Sequence, residues 1–172
     1  MKIAVGGDHA GFPMKAPVVE FLRSLGHEVT DYGTDSEEPV DFPDIAQKIT
    51  SAIRSGEADR GVLVCGTGVG AAIAGNKVPG IRAALTHDTH SAHQGVEHDD
   101  VNLACIGAWI IGIEVAKEVL EAFVNAEFST DPDFRRRVDK LAEMERKYAE
   151  ELVAAGGNGP AADLSRRRNN DG

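Results

Sequence analysis

The 172 residues carry 28 acidic side chains against 18 basic ones, a formal charge of −10, and that excess argues against a nucleic-acid or other polyanion binder. Arginines cluster only at Arg135-Arg136-Arg137 and Arg166-Arg167-Arg168. Two cysteines in separate apolar stretches form neither a disulfide framework nor a CxxC pair, no run approaches the roughly 20 apolar residues of a membrane span, and the amino terminus lacks a signal-peptide core. A reducing cytoplasm is the predicted compartment.

The length suits one domain, expected over residues 1–154, with a polar, glycine-rich tail over 155–172 predicted to be disordered. Residues 3–5 form a first apolar run of strand length. Residues 12–25 follow with helical period, placing Val18, Val19, Phe21 and Leu22 on one face until Gly26 stops it. A weaker strand is predicted at 29–32. The helical pattern returns over 44–55 through Ile45, Ile49 and Ile53, closed by Gly56. The run 61–65 reads as a buried strand, and Ala71-Ala72-Ile73-Ala74 opens the helix after it. Two further strands fall at 81–85 and 103–106, with a histidine-rich segment between them. Residues 112–123 predict a helix packed through Val115, Val119, Leu120 and Phe123. Pro132 opens a last helix through Val138, Leu141, Met144 and Tyr148 toward Leu152. Its apolar stripe is narrow and its charges are dense, which predicts that part of it lies across another subunit. Strands alternating with helices imply βαβ units and a parallel sheet, with ligands bound beyond the carboxyl ends of the strands.

The stretch Val64-Cys65-Gly66-Thr67-Gly68-Val69-Gly70 carries the most chemistry. A thiol ends a buried strand, and the glycine turn after it offers backbone N–H groups from Gly66 to Gly70 as an anion or oxyanion nest. In that setting the Cys65 pKa is expected to fall toward about 7, making it a base at neutral pH. The turn has neither the glycine spacing of a dinucleotide fingerprint nor the GKS or GKT ending of a P-loop. Asp8-His9 follows the first strand, and two readings stand there: sugar contacts and proton shuttling, or a cap by Asp8 on the helix beginning near Gly11. His87, His90, His93 and His98 crowd one segment. A metal pair at helical spacing is one reading, a solvated helix face the other, with only His98 turned into the cleft. No metal and no cofactor is expected.

Gly7-Asp8-His9-Ala10-Gly11, Asp31-Tyr32-Gly33-Thr34, Asp41-Phe42-Pro43, Cys65-Gly66-Thr67-Gly68-Val69-Gly70, Ala74-Gly75-Asn76-Lys77 and Gly80-Ile81-Arg82-Ala83-Ala84 resemble, in sequence and order, the type B ribose-5-phosphate and galactose-6-phosphate isomerases. The resemblance covers about residues 1–150. It implies a three-layer α/β/α fold with a five-stranded parallel, Rossmann-like sheet. It also implies a homodimer or homotetramer with active sites shared between subunits, and metal-free aldose–ketose isomerisation of a sugar or sugar phosphate through an enediol. By that resemblance Cys65 moves the proton, Thr67 binds the reacting hydroxyls, Gly66, Gly68 and Gly70 line the oxyanion nest, His98 assists ring opening and Asp8 positions the ring.

Departures from the family pattern fall on the phosphate side. Trp109 stands where an arginine is usual, and Asp133-Phe134-Arg135-Arg136-Arg137 replaces an Arg-His-x-x-Arg pattern, with Arg137 matching its last arginine and Arg136 a second candidate. His9 matches a phosphate-side histidine, Asp99 replaces an asparagine, and Phe42 a tyrosine. Bidentate phosphate recognition is weakened by these changes. Trp109 either stacks on a sugar face or packs. Ribose 5-phosphate is the family default. A different or unphosphorylated sugar, a non-catalytic partner subunit and a metal enzyme using the histidines are the alternatives.

Overall fold

A computed structural model of the chain describes residues 1–157; most of the predicted tail lies outside the described residues. Eleven elements alternate along it: β1 (Lys2–Gly7), α1 (Phe12–Ser24), β2 (Glu28–Asp31), α2 (Phe42–Arg54), β3 (Arg60–Cys65), α3 (Val69–Gly75), β4 (Ala83–Leu85), α4 (Thr89–Asp99), β5 (Leu103–Gly107), α5 (Ile113–Asn125) and α6 (Pro132–Ala154). The five strands form one sheet in the order β2-β1-β3-β5-β4, and all four pairings are parallel.

A parallel sheet covered on both faces needs strands that are apolar on both sides, and the alternation of side chains sorts them. Ile3, Val5, Val62, Val64, Ala104 and Ile106 face one layer with α1, α4 and α5, centred on Val18, Leu22, Val96, Leu120 and Phe123. Ala4, Leu63, Cys65, Leu103 and Cys105 face the opposite layer with α2 and α3, through Ile45, Ile49 and Ala71. The result is a three-layer α/β/α sandwich. Val115, expected in the core, is exposed, and Ala116 takes the buried position beside Val119 and Leu120. Val119, Leu120 and Phe123 are buried as expected, so only the first position of that face differs.

The direction in which strands are added reverses between β1 and β3: β2 lies on one side of β1, and everything after β3 lies on the other. Beyond the carboxyl ends of strands at such a switch point the diverging loops leave a crevice, where ligands of open α/β sheets bind. Helix α6 buries no residue of its own, and Leu141, Met144, Tyr148 and Leu152 stand exposed along it. Among the described residues no helix is long and apolar enough to cross a membrane.

Candidate active site

Gly7 pairs with Val64 across the switch point, so the next residues, Asp8 and Cys65, end their strands side by side. The Asp8 N–H donates to the Val64 carbonyl at 3.1 Å. That closeness depends on Gly11, because any Cβ there would overlap the Val64 carbonyl. Helix α1 thus begins directly against β3. Asp8 Oδ1 accepts the Gly11 N–H at 2.9 Å, and its carboxylate also hydrogen-bonds the Cys65 thiol. The two sequence readings of Asp8, cap and site residue, are therefore both realised by one carboxylate, which is 4% exposed.

The turn after Cys65 reverses through Gly68, whose φ of +78° lies in the left-handed region that favours glycine. This geometry directs the backbone N–H groups of Gly66 and Gly68 to the sulfur. Their pull on the thiol is outweighed. Burial pushes the Cys65 pKa up, the hydrogen bond to Asp8 and its negative charge reinforce the rise, and the two N–H groups only oppose it. The expected acidic thiol is thus corrected: the glycine turn contributes as predicted, but Cys65 is only 9% exposed and its neighbour is an anion. The resting sulfur holds its proton.

Around this pair stand Thr67, exposed at the apex of the turn, and Phe42, whose ring packs on Gly70. The Trp109 indole lies over Gly66 while remaining 73% exposed, so the ring walls the cleft and keeps a face open. His9 accepts the Val40 N–H at Nδ1, at 3.3 Å, which leaves its proton on Nε2. His87, read in the sequence as part of a histidine-rich helix, precedes α4 and accepts the Gly107 N–H at Nε2, at 2.9 Å. Sequence reasoning missed this residue; its position straight after a strand, like that of Asp8, was the available signal.

His98 does not join them. Helix α4 runs back from the carboxyl edge of the sheet and delivers its end to the start of β5, whereas Cys65 pairs with Gly107 at the end of that strand. About 13 Å of strand separates those two levels. His98 instead stacks on Phe134, centroids 3.9 Å apart and planes within 11°. Its Nε2 lies 3.7 Å from Glu97. Asp99, Arg136 and Arg137 belong to this second corner: Arg136 pairs with Asp133, and Arg137 lies over the Phe134 ring. Within one chain the predicted residues therefore stand at two corners, and His98, expected to turn into the cleft beside Cys65, does not do so in its own chain. The spacing gave the elements but not the direction of α4. His90 and His93 lie exposed on α4, and among the described residues no cluster of three or more His, Cys, Asp or Glu side chains is placed to hold a metal ion.

The profile of the ribose/galactose isomerase family matches residues 3–141. The chain belongs to that family. Ribose-5-phosphate isomerase B of Escherichia coli is 39% identical over 85% of this chain and 97% of that protein. D-erythrulose-4-phosphate isomerase of Pectobacterium atrosepticum is 42% identical over 74% and 85%. The solved ribose-5-phosphate isomerase B of Clostridium thermocellum superposes with a TM-score of 0.83 at 42% identity, covering 86% of this chain and 99% of its own. The chain is accordingly an aldose–ketose isomerase of the sugar-phosphate isomerase family, and its α/β sandwich is that of the solved relative.

Proposed function

We propose that this chain interconverts the aldose and ketose forms of a four- or five-carbon sugar phosphate through an enediol, with Cys65 as the proton carrier. The observation supporting this most strongly is the Cys65–Asp8 pair at the switch point, with the Gly66 and Gly68 N–H groups on the sulfur. A buried thiol is a poor base until its proton has somewhere to go. As substrate fills the crevice, Asp8 takes the thiol proton and the two N–H groups hold the thiolate. The thiolate then removes the proton from C2 of the aldose, the C–H electron pair forms the C1–C2 double bond, and the carbonyl pair moves onto O1. Delivery of a proton from the Cys65 thiol to C1, after that proton has exchanged with solvent, and transfer of the O2 proton to O1 give the ketose, with no co-reactant and no net oxidation. Thr67 contacts the reacting hydroxyls, and the turn through Gly70 supports the charge on O1.

His9 serves the phosphate end with its free Nε2–H, beside Phe42. Within one chain His98, Asp99, Arg136 and Arg137 stand away from Cys65, so in this reading a second copy brings its α4–α6 corner to the crevice. The exposed Leu141, Met144, Tyr148 and Leu152 stripe suits contact with that copy. A homodimer or homotetramer in the cytoplasm follows, in keeping with two free cysteines.

Ribose 5-phosphate and the tetrose 4-phosphates are the first substrates to test. The Trp109 indole occupies space over Gly66 where the family resemblance placed an arginine, and this favours the shorter sugar. The two differ in one chemical respect: a tetrose esterified at O4 has no hydroxyl left to close a ring, so it needs no ring opening. Turnover of ribose 5-phosphate, free ribose, erythrose 4-phosphate and erythrulose 4-phosphate by the wild type, Cys65→Ala and His98→Ala is the test. Cys65→Ala should lose at least about 10³-fold in kcat on any active substrate. His98→Ala should lose about 10²-fold on ribose 5-phosphate and little on a tetrose phosphate. Failure of the wild type on every phosphate in the panel would remove the substrate assignment.

A further inference from the structure

His87 lies at a place where the sheet runs out of backbone. Strand β4 has only three residues, and its last ladder bond carries the Thr86 N–H to the Cys105 carbonyl at 3.0 Å. The next donor on β5, the Gly107 N–H, would meet a strand carbonyl if β4 continued. It meets the Nε2 of His87 instead, at 2.9 Å. A buried N–H left unpaired there would cost free energy, and the imidazole takes over the part of the missing strand.

What hangs from that point is the Cys65 turn. Immediately after Gly107, the Ala108 N–H donates to the Cys65 carbonyl at 2.8 Å and the Trp109 N–H to the Gly66 carbonyl at 2.9 Å. From below, Gly68 packs on the backbone of Ile106 and Gly107 and on the Leu85 side chain. The two residues whose N–H groups hold the Cys65 sulfur are thus fixed by the end of β5. That end is fixed on its free side by His87. The bond requires an unprotonated Nε2, so the ring proton sits on Nδ1, which makes no hydrogen bond among the described residues.

We infer that His87 is a positioning residue for the Cys65 turn, holding the Gly107 N–H so that the Gly66 and Gly68 N–H groups stay aimed at the sulfur. The inference deepens the proposed function, but its first readout needs no substrate. Alkylation of Cys65 by iodoacetamide reports how well the thiolate is held. Cys105, with no exposed surface, supplies an inert internal control. His87→Phe removes the acceptor and keeps the ring volume; His87→Gln offers Oε1 as a replacement acceptor at similar reach.

In His87→Phe, alkylation of Cys65 at fixed pH should slow roughly 3- to 10-fold. On whichever sugar phosphate is turned over, kcat should fall about 10- to 100-fold with KM little changed. His87→Gln should recover most of both. Circular dichroism and thermal melts confirm that both variants fold. Alkylation rates equal to wild type in folded His87→Phe would overturn the inference, and so would a His87→Gln protein no better than His87→Phe. If alkylation shifts as expected while the wild type turns over none of the panel sugars, the positioning role stands and the substrate assignment fails.

Discussion

The Cys65 thiol, the proposed base, is surrounded by influences of opposite sign, and burial and Asp8 prevail over the N–H groups of Gly66 and Gly68. The sign of the pH dependence follows. The thiolate of the free protein grows as pH rises, with its midpoint above the ordinary thiol value, so alkylation of Cys65 should climb through neutral pH, whereas kcat/KM should stay nearly flat there, because transfer of the thiol proton to Asp8 takes up no proton from solvent and releases none. Asp8→Asn keeps an acceptor for the Gly11 N–H and removes the negative charge, lowering the thiol pKa. Cys65 should then alkylate faster at pH 7 to 8, while turnover drops about 100-fold because the proton acceptor is gone. Iodoacetamide rates alongside kcat measure both. An unchanged or slower alkylation rate would show that Asp8 does not set the state of the sulfur.

Helix α1 is seated on β3 through one glycine, and there packing and chemistry are the same contact. Gly11→Ala drives a methyl into the Val64 carbonyl, which flexible side chains cannot relieve because the obstacle is backbone. The variant should lose about 2–4 kcal/mol of stability by denaturant unfolding and, where folded, lose turnover through the displaced Asp8. At this scale the sequence was most readable. Strand runs and helical periods located every element of the sheet, since strands buried on both faces are near-continuous apolar runs and the covering helices are amphipathic. The site was half readable. Asp8 and Cys65 each follow a strand, and local order alone places such residues on the carboxyl edge. Cys65's ionisation was misread because burial of the thiol, reinforced by a neighbouring strand's carboxylate that leaves no trace near residue 65, outweighs the N–H groups of the turn. The role of His87 was missed because it depends on β4 ending after three residues, a matter of strand pairing and not of composition.

For the molecule as a whole, the decisive fact is that His98 and Cys65 lie toward opposite edges of one sheet. If both act on a substrate, they do so from different copies of the chain. Mixing Cys65→Ala with His98→Ala after dissociation and reassembly should then restore about a quarter of wild-type turnover of ribose 5-phosphate, because half the dimers are mixed and each mixed dimer has one intact site. Restoration should be absent when either variant is assayed alone. The strand order β2-β1-β3-β5-β4 underlies this geometry, and no local pattern in the sequence encoded it, because short strands of similar composition do not declare their neighbours. The most direct test of the central claim, that the Cys65–Asp8 pair shuttles a carbon-bound proton through an enediol, is turnover in deuterium oxide followed by proton magnetic resonance. Solvent deuterium should appear at C1 of the ketose with wild-type protein, and both turnover and exchange should vanish with Cys65→Ala. Isomerisation without deuterium, or exchange that survives Cys65→Ala, would contradict it.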